Sequence, residues 1–399
     1  MTLVAVVFAI VYLGMILGGL PFLQLDRTGI ALLGAIALVA FGALTPEEAA
    51  QSIHLPTLLL LFSFMVLSAQ MRLGGFYTWV TLRIAALPVG PAALLAAAMA
   101  AVAALSAVFS NDVVCLAVAP VLADACLRRG IDPVPYLLGL ACAANIGSAA
   151  TLIGNPQNML IGQVLDLPFA AYALEALLPV LVSLALAWAI IAGRLGKGFH
   201  PGTALQERRE DLYATFDPWQ TAKGLAVAAA LVIVFLFTSW PREVAALTGA
   251  GLLLMSRRLH SNKMLGLVDW ELLVLFIGLF VVNHAFQATG LAAHALAALG
   301  TGAASLFVAT FVLSNVVSNV PAVMLLLPAA TEPFAGPMLA LVSTLAGNLL
   351  IVGSIANIIV VDAARRRGVE IDWRRHALTG VPVTLASLAV AGAWFWLRA

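Results

Sequence analysis

Apolar residues run along this chain in long blocks. A helix crossing a hydrocarbon layer of about 30 Å needs roughly 20 of them. Such blocks fall near 2–20, 27–43, 55–74, 134–165 and 169–193. After a charged stretch from Arg194 to Pro218 they resume near 219–239, 242–257, 270–288, 336–361 and 377–397. Two further apolar stretches, about 91–128 and 303–330, hold polar interruptions: Ser110-Asn111-Asp112 in one and Ser314 through Pro321 in the other. Each is either two crossing helices or one re-entrant hairpin. Asn111 and Asp112 in mid-run suit a cavity inside the membrane better than a solvated loop, which favours the hairpin. The pattern therefore predicts an all-α polytopic membrane protein of about 10 transmembrane helices.

Composition agrees. Of 399 residues 63% are hydrophobic and 10% charged, with a mean hydropathy of +1.05. Soluble domains carry about 25% charged residues, too many for this chain to imitate. The net charge of +1 says nothing about nucleic acid, and no basic run is long enough to suggest such a partner. Cys115, Cys126 and Cys142 lie in apolar stretches without metal-ligand spacing, as packing residues do. The first block has no Lys or Arg before Arg27, so it reads as a spanning helix rather than a signal peptide.

Charge sets an orientation. Threading the blocks through a membrane places 18 of the 20 Lys and Arg on one face and leaves Arg242 and Arg398 on the other. The positive-inside rule makes the first face cytoplasmic and both termini periplasmic, in a cell inner membrane. A repeat is visible as well. Arg27, Gly34-Ala35 and Gly75 recur at one fixed offset as Arg242, Gly249-Ala250 and Gly290. Ser110-Asn111 recurs at a slightly smaller offset as Ser318-Asn319, and Gly154 and Asn158 at a smaller one again as Gly353 and Asn357. Shrinking offsets mean shorter loops in the second copy. Five crossings per copy would invert one copy relative to the other. The expected division is a first repeat over 1–193, a cytoplasmic connector over 194–218 and a second repeat over 219–399.

Four polar clusters stand where lipid-facing helices should be apolar. They are Ser110-Asn111-Asp112; Asn145, Gly147, Ser148 and Thr151 with Gly154-Asn155-Pro156-Gln157-Asn158; Ser314-Asn315 with Ser318-Asn319 and Pro321; and Gly347-Asn348 with Gly353-Ser354 and Asn357. Pro156 lacks an amide and disfavours helix at Asn155, while Gly154 permits close backbone approach. A helix broken there aims a partly positive and a partly negative end at one point. Small polar residues also glue helices together, but occurrence as related pairs favours a solute or ion site. Asp112 is the one carboxylate expected at a hairpin tip, where an unpaired charge is costly, and is the candidate for coupling.

These residues carry a resemblance. Ser110-Asn-Asp112, the run Asn145 to Asn158 ending in Gly-Asn-Pro-Gln-Asn, Ser318-Asn-Val-Pro321, Ala346-Gly-Asn348 and Gly353-Ser-Ile-Ala-Asn357 resemble the ion transporter superfamily. The arsenical pump membrane protein branch is the most similar, with its plant silicic-acid efflux transporters. The resemblance implies two inverted repeats, each with a re-entrant hairpin and a broken helix, and movement of the site between faces. The dicarboxylate branch has Ser-Asn-Thr at both tips; here Asp112 ends one and Val320-Pro321 follows the other. A carboxylate beside the site repels a multiply charged citrate, so a weak oxyacid such as silicic or arsenous acid is the expected substrate.

The expectation is thus a secondary transporter exporting a small oxyacid or oxyanion against protons or sodium. The alternative is a sodium-coupled importer of carboxylates or inorganic anions. Catalytic constellations such as His-Glu-x-x-His or Gly-x-Ser-x-Gly do not occur, nor does a phosphate-binding Gly-x-x-x-x-Gly-Lys-Ser/Thr. No enzyme activity, cofactor, resident metal or ATPase partner is expected. Sodium at the Asn111 and Asn319 clusters and a homodimeric assembly remain open.

Overall fold

The computed structural model describes residues 1–20, 23–195, 215–294 and 302–398, and most of the 194–218 connector lies outside them. The described secondary structure is helical throughout. Its first half contains α1 (Thr2–Leu17), α2 (Arg27–Ala40), α3 (Pro46–Ser52), α4 (Leu55–Leu73), α5 (Phe76–Ala85), α6 (Pro91–Val108), α7 (Asn111–Arg128), α8 (Pro133–Ser148), α9 (Pro156–Val164) and α10 (Phe169–Ala192). Its second half contains α11 (Pro218–Phe237), α12 (Arg242–Leu254), α13 (Ser261–Leu265), α14 (Trp270–Ala288), α15 (Ala303–Val317), α16 (Asn319–Leu326), α17 (Ala335–Ala346), α18 (Ile355–Arg365) and α19 (Trp373–Arg398). Among the described residues, α4, α6, α10, α11, α14 and α19 are long and apolar enough to cross a membrane.

Local chemistry sets the boundaries. Pro91, Pro133, Pro156 and Pro218 each open a helix, where a missing amide costs nothing. Asp26, Asp132, Asp217 and Asp269 accept the first free amides of α2, α8, α11 and α14. The short α3 starts on a capping box between Thr45 and Glu48. It escapes the hydropathy pattern because Glu47, Glu48 and Gln51 make it polar, and the short α13 escapes for the same reason.

The two halves share spacings. Both α4 and α14 have 19 residues, and their starts are related by the offset that carries Arg27 to Arg242. Each ends before a glycine with positive φ, Gly75 at 70° and Gly290 at 76°. Contacts between the halves are exchanged in the same sense, α2 packing on α14 and α12 on α4. The first of these depends on a bare backbone. A Cβ on Gly278 would lie 2.7 Å from the carbonyl carbon of Ala31.

The stretches 91–128 and 303–330 each form a pair of antiparallel helices that turns back within the bundle. Arg129, just past α7, donates to the carbonyls of Ala85 and Leu87 just before α6, so both arms reach one end. The tip stops at a gap between α8 and α9, where the Asn111 amide donates to the Gly154 carbonyl at 3.2 Å. Beyond that level α9 continues for nine residues, about 13 Å. The tip between α15 and α16 stops likewise at the gap between α17 and α18. The predicted blocks 134–165 and 336–361 are therefore each two helices separated by a break, at 149–155 and 347–354.

Close packing of α2 on α14 yields the first prediction. The substitution Gly278→Ala should force these helices apart and lower stability by about 1–3 kcal/mol. Gly251→Ala, inside α12 with open space within 4 Å, should keep or raise stability, by about 0.4–1 kcal/mol at most. Thermal unfolding in detergent measures both; equal melting temperatures for the two variants would contradict the packing argument.

Candidate functional site

Two helix breaks and two hairpin tips meet at one place, and the structure brings the four predicted clusters together there. Each break leaves carbonyls at the end of one helix and amides at the start of the next without helical partners. Buried groups of this kind must be satisfied by side chains or by a ligand. At the start of α9 the side chain of Asn155 accepts the Asn158 amide at 2.9 Å, and Pro156 occupies the first helical position. Asn158 then reaches back to the Thr151 carbonyl at 3.0 Å. In the second half Asn357 reaches back to the Leu350 carbonyl, also at 3.0 Å, and to the Gly347 carbonyl at 2.8 Å. One offset relates the two pairs, carrying Thr151 to Leu350 as it carries Asn158 to Asn357.

Between the breaks the bonds cross. Asn145, near the end of α8, donates to Asn348 Oδ1 at 2.9 Å and to Asn357 Oδ1 at 3.3 Å, and accepts from Ser354 at 2.9 Å and Asn111 at 3.2 Å. Thr344, near the end of α17, donates to Asn158 at 3.3 Å and accepts from Asn155 at 3.3 Å and Gln157 at 3.1 Å. The same offset carries Asn145 to Thr344 and Asn155 to Ser354. Each half thus lends its α8- or α17-end residue to the other half's broken helix. The exchange is reciprocal: Asn145 bonds to Asn357, and Thr344 bonds to Asn158. Asn145, Asn155, Asn158, Thr344, Asn348 and Asn357 are all buried.

The remaining predicted residues frame this centre. A Cβ on Gly147 would come within 2.3 Å of the Ala103 backbone, and one on Gly154 within 2.3 Å of the Ser148 carbonyl. Only glycine lets α6 and the break approach so closely. Ser148 accepts from Asn155 at 3.0 Å, and the Thr151 hydroxyl donates to the Ala107 carbonyl. Gly353 takes the Gly154 place, its would-be Cβ 3.2 Å from the Gly347 carbonyl and 3.3 Å from Asn315 Oδ1. Pro321, just beyond the second tip, accepts from Tyr12 at its carbonyl. Ser318 has φ 78° and ψ 161°, a conformation that costs a non-glycine residue about 1–3 kcal/mol. Strain of that kind persists where surrounding structure holds it in place.

Several polar atoms at this centre are buried without a hydrogen-bond partner: Asn111 Oδ1, Asn315 Oδ1, Asn319 Oδ1 and Asn348 Nδ2, with the hydroxyls of Ser106 and Ser314. An amide oxygen can coordinate a cation, and an amide nitrogen can donate to an electronegative solute atom. Ser110 caps α7 by position only, without a side-chain bond. Asp112 follows as the second residue of α7; it is half-buried and accepts no hydrogen bond among the described residues. It therefore does not serve α7 as a side-chain cap. No Lys or Arg belongs to the crossed network, and no group of three His, Cys, Asp or Glu that could hold a metal occurs among the described residues.

Sequence reasoning passed over Thr344, and it named Gln157 and Asn315 only as members of their clusters. Thr344 was within reach, since the offset between Asn158 and Asn357 leads from Asn145 to it. Gln157 sits inside the Gly-Asn-Pro-Gln-Asn run without having been singled out. Asn315, named beside Ser314, has no polar counterpart in the first hairpin, where the matching place is held by Ala107.

Comparison with known proteins places this geometry in a family. Residues 4–339 match the CitMHS citrate transporter family. The silicon efflux transporter LSI3 of rice (Oryza sativa subsp. japonica) is 28% identical, over 97% of this chain and 96% of that one. A transporter of Dictyostelium discoideum named arsB is 22% identical, over 92% and 87%. The crystal structure of the Alcanivorax borkumensis YdaH transporter shares the fold with a TM-score of 0.60 at 12% identity, over 100% of this chain and 97% of that one. With apolar helices and broken segments meeting at a polar centre, and with a family match over most of its length, the chain belongs to the CitMHS citrate transporter family of multi-pass membrane transporters and is not an enzyme.

Proposed function

We propose that this protein is a secondary active transporter that exports a small weak oxyacid or oxyanion of the silicic acid or arsenite type, driven by a proton or sodium gradient. The observation that carries the reading is the crossed amide network around Asn145 and Thr344, lined by neutral donors and acceptors. A multiply charged carboxylate would call for cationic side chains, and the network has none. An uncharged hydroxyl-bearing acid finds both acceptors and donors there. The silicon efflux named for the rice relative points the same way.

Asn111 and Asn319 present unpartnered oxygens at matching places in the two hairpin tips, which suits sodium, while Asp112 beside Asn111 suits a proton. In this reading the two halves are inverted repeats, 1–193 and 219–399, and their hairpins and broken helices move together between the faces. A second reading, sodium-coupled import of a carboxylate or inorganic anion, is favoured by the citrate transporter description of the family. No cofactor or ATPase is required by either reading, and a homodimer is compatible with both.

Orientation and coupling are both open to experiment. In an inner membrane both termini should be periplasmic, because 18 of 20 Lys and Arg fall on the opposite face. Alkaline phosphatase fused to the C-terminus should be active; a C-terminal fluorescent reporter that matures only in the cytoplasm would reverse the orientation. Purified protein in proteoliposomes should move silicic acid or arsenite, rather than citrate or phosphate, under an imposed pH or sodium gradient. If protons drive the flux, Asp112→Asn should abolish pH-driven movement while leaving folding and solute exchange intact. Citrate uptake driven by sodium would select the second reading, and full pH-driven flux in Asp112→Asn would remove Asp112 from coupling.

A further inference from the structure

Behind each helix break stands a side chain from the last long helix of the same half. In the first half the Tyr172 hydroxyl, on α10, donates to the Ala149 carbonyl at 2.8 Å and accepts from Asn158 at 3.1 Å. In the second half His376, on α19, places Nε2 3.1 Å from the Asn348 carbonyl. Ala149 and Asn348 are related by the offset that joins the two breaks, and each is the first or second residue past the helix that ends there. Their carbonyls belong to the set that a helix C-terminus leaves without partners, at the partly negative end of its dipole.

The His376 contact is built for the carbonyl. A carbonyl oxygen only accepts, so Nε2 carries the proton and Nδ1 is left as a bare lone pair. That Nδ1 is buried without a partner, and the residue is 2% exposed. A leucine would fill the same space without burying an unpaired nitrogen, so packing alone does not account for the imidazole. One turn later, Gly380 brings α19 against the break; a Cβ there would lie 2.4 Å from the Asn348 oxygen. On α8 the Tyr136 hydroxyl donates to the Pro91 carbonyl, on α10 Tyr172 is engaged at the first break, and among the described residues nothing bonds to His376 Nδ1. Along α17 there is no titratable side chain, and Glu175 of α10 is engaged by Trp394 and Arg398 near the other end of α19. Arg194 reaches the Leu378 carbonyl instead.

We propose that His376 is a positioning residue of the transport site: by holding the Asn348 carbonyl it fixes the backbone that carries the Asn348 side chain. The Asn348 amide accepts from Asn145 through Oδ1 and leaves Nδ2 unpartnered toward the centre. Release of the carbonyl lets the 347–350 backbone turn and takes Nδ2 out of register with the solute. His376 touches neither solute nor ion; it acts through Asn348, as Tyr172 acts through Ala149 and Asn158. The functional part of this proposal rests on the transporter reading of the centre.

The test separates that reading from the positioning role. His376→Gln keeps a side-chain N–H donor, and His376→Leu removes it. Hydrogen–deuterium exchange on the purified protein without solute should show faster exchange at residues 347–350 in H376L and wild-type exchange in H376Q. In proteoliposomes given silicic acid, H376L should raise the half-saturating concentration about tenfold with a smaller change in maximal rate, and H376Q should restore it. Should H376L fail to fold, H376N, whose amide stops short of the carbonyl, supplies the same comparison. Unchanged exchange in the donor-less variant, or a glutamine variant as defective as it, would overturn the proposal. Absence of silicic acid flux in the wild type with the expected exchange pattern would instead overturn the substrate and leave the positioning role standing.

Discussion

Everything in this fold answers to the cost of breaking a helix inside a membrane. An unpaired amide or carbonyl in hydrocarbon costs several kcal/mol, so a break persists only where something else satisfies the backbone. Here side-chain amides do much of that work. Asn158 and Asn357 return to the carbonyls of their own breaks, while Asn145 and Thr344 tie each break to the other half. Neither broken helix is complete without the other.

That mutual dependence explains the surroundings. The tips of the two hairpins must reach the breaks, so α6 and α8 approach to the point where Gly147 admits no Cβ, and Ser318 adopts a strained backbone. The outer helices supply the frame through exchanged contacts, α2 with α14 and α4 with α12. Two halves that each complete the other's break meet at one polar centre. Atoms left over from backbone satisfaction, such as Asn111 Oδ1 and Asn348 Nδ2, stay buried there without a hydrogen-bond partner.

Much of this was legible in the residues. Helix-forming blocks, the breaks at Gly154-Asn155-Pro156 and Gly353-Ser354, and the paired offsets between the halves all follow from local chemistry and counting. The short amphipathic α3 and α13 were invisible to a search for apolar runs, because they are too short and too polar to form a hydrophobic block. Thr344 and His376 were missed for a different reason. A threonine or histidine in an apolar run is ordinary; the repeat offset points from Asn145 to Thr344, but the role of His376 appears only when the Asn348 carbonyl is placed beside it. His376 is 28 residues from Asn348, and Thr344 is 189 from Asn155.

The central claim is that both halves build one transport site at the crossed network. The initial rate of solute flux in proteoliposomes for Thr344→Val tests it most directly, using whichever solute the wild type moves. Valine keeps the shape of threonine but strands the donors of Asn155 and Gln157. Each of the two lost hydrogen bonds contributes about 0.5–1.5 kcal/mol, so flux should fall roughly 10- to 100-fold while the protein remains folded and monodisperse. Flux at the wild-type rate in Thr344→Val would contradict a shared site.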